Sequence, residues 1–117
     1  MNPNLSFTPI APDVSVAPQL TPDAMAEVAQ RGFRSVVNNR PDFEGGPGQP
    51  TNAQLEAAAL AAGLVYRFLP VPSRAHSPED VRAFAALAAE LPRPMLLFCR
   101  SGARSAHLYQ AARAFDA

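Results

Sequence analysis

The sequence predicts an α/β fold in which a mostly parallel central sheet of about four or five strands is flanked by helices. Short apolar runs alternate with longer stretches whose apolar residues recur every three or four positions, the spacing of one helix face. Helix-capping residues stand at the start of the longer stretches. The last short run, at 95–98, is apolar throughout, which is typical of a strand covered on both faces.

Five strand-like runs are recognisable, at residues 7–10, 14–17, 34–38, 64–71 and 95–98. The first two predict a small edge hairpin or strand pair. Helical stretches separate the others, so the predicted order is β, β, α, β, α, β, α, β, α. Strands that are joined through helices run parallel, with helices packed against both faces of the sheet.

Capping residues indicate where the helices begin. Thr21-Pro22-Asp23 predicts an N-cap followed by proline at the first helical position, and Ser77-Pro78 repeats this pattern. Thr51 with Gln54 three positions later predicts a capping box. The fourth helix is predicted to start at Ser105, which is either its N-cap or a hydrogen-bond donor to the preceding cysteine. The apolar faces comprise Met25, Val28 and Ala29; Leu55, Ala58, Ala59 and Ala62; Val81, Phe84, Ala85, Ala88 and Leu91; and Leu108, Ala111, Ala112 and Phe115.

Length and charge limit the classes of function. The 117 residues suit one domain, 1–117. Ten basic and ten acidic residues cancel and no basic patch is visible, so we expect no nucleic-acid partner. No apolar run approaches the roughly 18 residues of a membrane span, and the N-terminus does not resemble a signal peptide. A single cysteine forms no internal disulfide, which favours a reducing, cytoplasmic location.

Neither a metal nor a cofactor is expected. Besides Cys99, only His76 and His107 are soft ligands, and their spacing fits no common zinc pattern. The chain ends soon after the fourth predicted helix, so a packing element is expected to be missing or to come from a second copy. A homodimer therefore remains open.

The run at residues 99–105, CRSGARS, lies where a buried strand ends and a helix begins. Backbone N–H groups and the helix dipole favour an anion at such a corner, and they shift a cysteine toward thiolate. Arg104 would reinforce that shift and offers paired donors for a tetrahedral oxyanion. We predict Cys99 as nucleophile and Arg104 as anion binder, against the alternative of an inert buried cysteine. The other loop residues predicted to hold substrate are Arg100, Ser101, Gly102, Ala103 and Ser105.

Parallel strands place their carboxyl ends at one edge of the sheet, where open α/β sheets bind ligands. Three segments are predicted to converge there, residues 38–42, 70–76 and the cysteine loop. Asp42 is the candidate general acid, with a turn-forming aspartate as an equal alternative. Arg40 either holds substrate or anchors the loop. Residues 41–50, with three glycines and three prolines, are predicted to be mobile.

The combination of runs at 16–21, 32–42, 48–50, 69–72 and 99–105 resembles one bacterial family, the phosphatase-like domain of beta-lactamase hydrolase-like proteins. Its members are also labelled sulfur transferases. The resemblance covers about residues 5–113 and implies a fold like that of dual-specificity protein phosphatases. It also implies that Cys99 is the nucleophile and Arg104 the anion-binding arginine. The family includes stand-alone proteins and fusions to metallo-hydrolase domains linked to sulfide metabolism, and this chain is expected to be stand-alone.

The chain departs from protein phosphatases in three ways. Four residues rather than five separate Cys99 from Arg104, Phe98 stands in place of histidine, and no aspartate occurs in residues 69–76. Two enzyme hypotheses with a small oxyanion substrate follow: a phosphatase working through phosphocysteine, and a rhodanese-like sulfurtransferase working through a cysteine persulfide. A non-catalytic anion-binding module is the third hypothesis. We favour the phosphatase-like one.

Overall fold

The computed structural model describes residues 5–72 and 76–116. Within these ranges the elements follow the predicted order. The strands are β1 (Thr8–Ala11), β2 (Val14–Ala17), β3 (Ser35–Asn38), β4 (Val65–Phe68) and β5 (Met95–Phe98). The helices are α1 (Ala24–Gln30), α2 (Asn52–Ala61), α3 (Pro78–Glu90) and α4 (Ala103–Asp116). None of these described helices is both long and apolar enough to cross a membrane.

The five strands form one sheet in the order β1-β2-β5-β3-β4. β1 pairs antiparallel with β2, whereas β2, β5, β3 and β4 pair parallel. The last strand in the chain, β5, therefore lies at the centre, with Phe98 level with Ala17 of β2 and Asn38 of β3. This confirms the predicted mostly parallel sheet with an antiparallel edge strand.

Successive residues of the central strands point to opposite faces, and both faces are covered. Val37 and Leu97 pack in one buried cluster together with residues of α3 and α4. Val36 and Leu96 pack in a second cluster together with residues of α1 and α2. A sheet buried on both faces explains why β5 is apolar throughout.

Two of the predicted helix starts are confirmed by their hydrogen bonds. In α2, the backbone N–H of Gln54 donates to Thr51 Oγ1 (3.2 Å), while the backbone N–H of Thr51 donates to Gln54 Oε1 (3.0 Å). In α3, Ser77 and Asp80 exchange the same pair of bonds, at 3.1 and 2.9 Å. Each box satisfies amide donors that the first turn of a helix leaves unpaired.

The other two predicted starts are wrong by two or more residues. α1 begins at Ala24 after Asp23, because Thr21 forms a preceding turn in which its carbonyl accepts from the Ala24 N–H (3.0 Å). α4 begins at Ala103, so Ser105 lies inside the helix and is not its N-cap. The Gly102 carbonyl instead accepts the first helical bond, from the Ala106 N–H (3.0 Å). A glycine with φ of 97° can start the helix there, since it has no Cβ to strain.

Candidate active site

The carboxyl ends of β3, β4 and β5 are connected by backbone hydrogen bonds. The Asn39 N–H donates to the Phe98 carbonyl (2.9 Å), and the Val71 N–H donates to the Asn39 carbonyl (3.1 Å). Arg104 reaches the same place, with Nη1 donating to the carbonyls of Val71 (3.0 Å) and Asn39 (3.4 Å). The predicted convergence is confirmed for the described segments; residues 73–75 lie outside them.

Cys99 lies directly after β5 and is 1% exposed. The Gly102 N–H donates to its sulfur at 3.1 Å. Burial raises the pKa of the Cys99 thiol, but hydrogen bonds from Ser105, Gly102 and Ser101 outweigh burial and lower that pKa below its ordinary value. The shift toward thiolate is thus produced mainly by groups of the loop and the first turn of α4.

Ser105 connects the cysteine to the neighbouring strand end. Its hydroxyl donates to Asn39 Oδ1 at 2.8 Å, and Asn39 Nδ2 donates to the Leu69 carbonyl at 3.0 Å. A hydroxyl has one proton, so Ser105 stabilises the Cys99 sulfur with it only when it turns away from Asn39. Because Ser105 lies inside α4, its predicted N-cap role is wrong, while its predicted role as a hydroxyl donor to the sulfur stays a prediction.

Arg104 has a side chain that is only 9% exposed. Besides the two carbonyls on Nη1, its Nη2 donates to Glu44 Oε1 at 2.9 Å. Arg104 Nε is buried and has no hydrogen-bond partner among the described residues. Buried donors are almost always paired, so this unpaired one indicates a place for an acceptor that the described residues do not supply.

Glu44 is a member of the site that sequence reasoning missed. Its Oε1 accepts from Arg104 Nη2 and from Arg40 Nε, both at 2.9 Å. The hydrogen bond from Arg104 is the largest influence on the Glu44 pKa and lowers it; burial opposes this, and Arg40 adds to the lowering. The sequence offered one signal for this contact: Glu44 stands four residues after Arg40, a spacing at which two side chains meet when the backbone forms a helical turn.

Arg40 both anchors the loop and lines the site. Its backbone N–H donates to Asn38 Oδ1 (2.9 Å), and its Nη1 donates to Gln19 Oε1 (3.0 Å). With the Glu44 contact, these bonds hold Arg40 at 9% exposure. Arg40 therefore anchors the loop while it lines the cavity, so its two sequence-based roles, anchoring the loop and holding substrate, do not exclude each other.

Asp42 caps a helix. Its Oδ1 accepts from the backbone N–H of Asn52, which is the first residue of α2, at 2.7 Å. The Asn52 side chain in turn accepts from the Tyr66 hydroxyl at 2.8 Å. The Tyr66 hydroxyl also accepts from Asn38 Nδ2. Burial raises the pKa of Tyr66 to about 12, so the Tyr66 hydroxyl keeps its proton at neutral pH.

The segment 41–50 has a defined internal structure. Gln49, which is buried, accepts from the Gly45 N–H (2.7 Å) and donates to the Pro41 carbonyl (2.9 Å). The Phe43 side chain is 64% exposed and its φ of 64° is unusual for a residue with a Cβ. Bonds across the segment therefore hold Glu44 toward the arginines.

A cavity of about 460 Å³ opens beside the loop, lined by Arg40, Glu44, Gly45, Arg100 and Arg104. Its volume lies in the range of about 300–1,000 Å³ that small-molecule sites occupy. Three guanidinium groups face one carboxylate, so the cavity favours an anion. Arg100 begins the loop that follows Cys99, and Arg104 lies where that loop joins α4. Cys99 itself does not line the cavity. Of the other predicted loop residues, Ser101 and Ala103 are exposed and Gly102 is buried.

Known proteins share this arrangement of sequence and fold. Residues 6–116 match the family described as "Beta-lactamase hydrolase-like protein, phosphatase-like domain". The chain belongs to this family. A beta-lactamase hydrolase-like protein of Agrobacterium fabrum is 42% identical over 89 residues, 76% of this chain and 20% of that protein. One from Xylella fastidiosa is 37% identical over 103 residues, 88% of this chain and 24% of that protein. This phosphatase-like domain therefore spans about a fifth to a quarter of those relatives.

Solved structures agree with the family assignment. A crystal structure named "putative phosphatase (nma1982)" from Neisseria meningitidis Z2491 has a TM-score of 0.83 and 31% identity, covering 93% of this chain and 77% of that one. A mutant form of Tk-PTP has a TM-score of 0.76 and 22% identity, covering 95% and 72% of the two chains. At that identity the second likeness concerns the fold alone. The expected protein-tyrosine-phosphatase-like fold is confirmed.

Proposed function

We propose that this phosphatase-like domain is a cysteine-dependent hydrolase of small phosphate esters. The observation that carries the proposal is the buried, unpartnered Nε of Arg104, next to a loop that lowers the pKa of the Cys99 thiol. A thiolate nucleophile and an unpaired guanidinium donor are the two groups that in-line attack on a phosphoryl group requires.

The proposed reaction has two steps. The Cys99 thiolate attacks phosphorus, the ester bond breaks, and the alcohol leaves with a proton from a general acid. Water then attacks the phosphocysteine and releases inorganic phosphate and the thiolate. Arg104 holds the equatorial oxygens throughout, with Arg40 and Arg100 drawing the anion into the cavity.

Asp42 remains our candidate for the general acid. To donate a proton it has to release the Asn52 N–H and turn toward the cavity. Glu44 lies closer to the arginines but is a poor donor, because the guanidinium groups that lower its pKa hold it ionised. A general acid contributes about 10²–10⁴-fold to such a step, so its identity decides how well an alkyl ester is hydrolysed.

A sulfurtransferase remains the second candidate, because the one carboxylate lining the cavity is ion-paired with two arginines. In that reaction Cys99 takes the outer sulfur of thiosulfate, sulfite leaves without needing a proton, and cyanide or a thiol accepts the sulfur from the persulfide. The short loop between Cys99 and Arg104 also suits this chemistry.

Parallel assays separate these functions. We expect native protein to hydrolyse p-nitrophenyl phosphate and Cys99→Ser to lose that activity to background. Turnover of thiosulfate plus cyanide without phosphatase activity would instead favour the sulfurtransferase. Binding of phosphate without either turnover would leave an anion-binding module, and full activity in Cys99→Ser would refute both enzyme proposals.

The role of Asp42 has its own test. We expect Asp42→Asn to lower phosphatase kcat by about 10²-fold or more if Asp42 is the acid. Thermal unfolding of the same variant reports separately on the hydrogen bond to the Asn52 N–H, which the side-chain oxygen of asparagine also accepts. Unchanged kcat would exclude Asp42 as the acid.

A further inference from the structure

Glu44 occupies a position at which its carboxylate and a bound oxyanion act on the same arginine. A single oxygen, Oε1, lies 2.9 Å from Arg104 Nη2 and 2.9 Å from Arg40 Nε. The neighbouring Nε of Arg104 has no hydrogen-bond partner within residues 5–72 and 76–116. Any oxyanion that pairs with that Nε therefore lies beside a carboxylate of like charge.

Neither arginine depends on Glu44 for its position. Arg104 is also held by the carbonyls of Val71 and Asn39 through Nη1. Arg40 is also held by Gln19 through Nη1 and by Asn38 through its backbone N–H. Loss of the Glu44 charge would therefore leave both guanidinium groups in place.

We propose that Glu44 is a specificity-determining residue of the proposed active site, one that weakens the binding of an oxyanion more strongly the more charge that oxyanion carries. This inference rests on the proposed anion site around Arg104. Coulomb repulsion from one fixed charge doubles when the ligand carries two charges instead of one. Free phosphate and sulfate, which are small and doubly charged, are then discriminated against most strongly.

The substitution Glu44→Gln isolates the charge. Glutamine keeps the length of the side chain and a carbonyl oxygen that accepts from both guanidinium groups, but it carries no charge. Glu90→Gln is the matched control, because Glu90 is an exposed glutamate at the last position of α3. α3 runs away from the site edge, so the control makes the same charge change far from the cavity.

The experiment measures dissociation constants by calorimetry at constant ionic strength for two tetrahedral anions, sulfate (two charges) and perrhenate (one charge). We expect Glu44→Gln to bind perrhenate about fivefold more tightly and sulfate about 25-fold more tightly, the square of that factor. Glu90→Gln should leave both constants unchanged.

Four results would overturn the inference. If native protein binds both anions and Glu44→Gln binds them equally tightly, the Glu44 charge does not oppose anions; if Glu44→Gln binds them less tightly, Glu44 orders the arginines. In both cases the proposed function survives alone. Equal tightening of both anions would show that space, and not charge, is what Glu44 controls. If neither protein binds either anion, the proposed anion site fails, and this inference fails with it.

Discussion

Asn39 is the residue that joins the parts of the site. It is fully buried, and its carbonyl accepts from Arg104 Nη1 and the Val71 N–H while its side chain bonds Ser105 and the Leu69 carbonyl. Sequence reasoning treats an asparagine after a strand as a turn residue. These four partners belong to two other segments, the first turn of α4 and residues 69–71, so Asn39 is a positioning residue for the arginine and the serine.

The titration of Cys99 is a prediction at the same scale. Because the pKa of the folded thiol is lowered, the thiolate should form as pH rises through a value below 9.0, the ordinary value for this group. Ser105→Ala removes a hydroxyl that stabilises the thiolate, so the midpoint should move to higher pH. The ultraviolet absorbance of the thiolate measures it directly.

Ser101→Ala is the control for that titration. Ser101 lowers the Cys99 pKa through its backbone, which the substitution keeps. Its midpoint should match that of the native protein. A Ser105→Ala midpoint that does not rise would mean that its hydroxyl stays with Asn39 Oδ1.

At the scale of elements, the turn 41–50 determines how the arginines are presented. Its glycines look alike in sequence but differ in surroundings. A Cβ on Gly45 would lie 2.6 Å from Arg40 Nη2 and 3.2 Å from Gln49 Oε1, whereas a Cβ on Gly48 would meet no atom within 4 Å. Of these two glycines, only Gly45 lies so close to the Arg40 guanidinium that a larger residue would collide with it.

We therefore expect Gly45→Ala to weaken oxyanion binding by displacing the end of the Arg40 side chain. It should destabilise the protein by about 1 kcal/mol, the lower end of the usual cost of overpacking, because that flexible end can shift. Gly48→Ala should be neutral or stabilising by about 0.4–1 kcal/mol, because it restricts the unfolded chain without strain. Urea unfolding measures both. Equal stability of the two variants would contradict the role of Gly45.

At the scale of the whole molecule, stability depends on the sheet being covered on both faces. Leu96 of the central strand is fully buried, while Leu60 on α2 is 59% exposed. Leu96→Ala should lower the free energy of unfolding by about 2–5 kcal/mol, and Leu60→Ala should change it by no more than about 0.5 kcal/mol. Comparable losses in the two variants would show that the chain buries Leu60 against something in solution, such as a second copy.

The order of elements could be predicted from sequence because it follows from local spacing. Thr51 with Gln54 and Ser77 with Asp80 form their caps within four residues, so no distant contact is needed. The start of α4 could not be predicted in this way. It depends on the left-handed backbone of Gly102, whose φ of 97° is a conformation that residues with a Cβ rarely adopt.

The sequence by itself determined the alternation of strands and helices, the strand-to-helix corner that holds Cys99, and the arginine five positions later, since each is a property of neighbouring residues. Only the tertiary structure decided that Glu44 bridges Arg40 and Arg104, and that Asp42 caps α2. Those contacts depend on where parallel strands end in space. Residues 60 positions apart meet there because the strand that carries the cysteine inserts at the centre of the sheet.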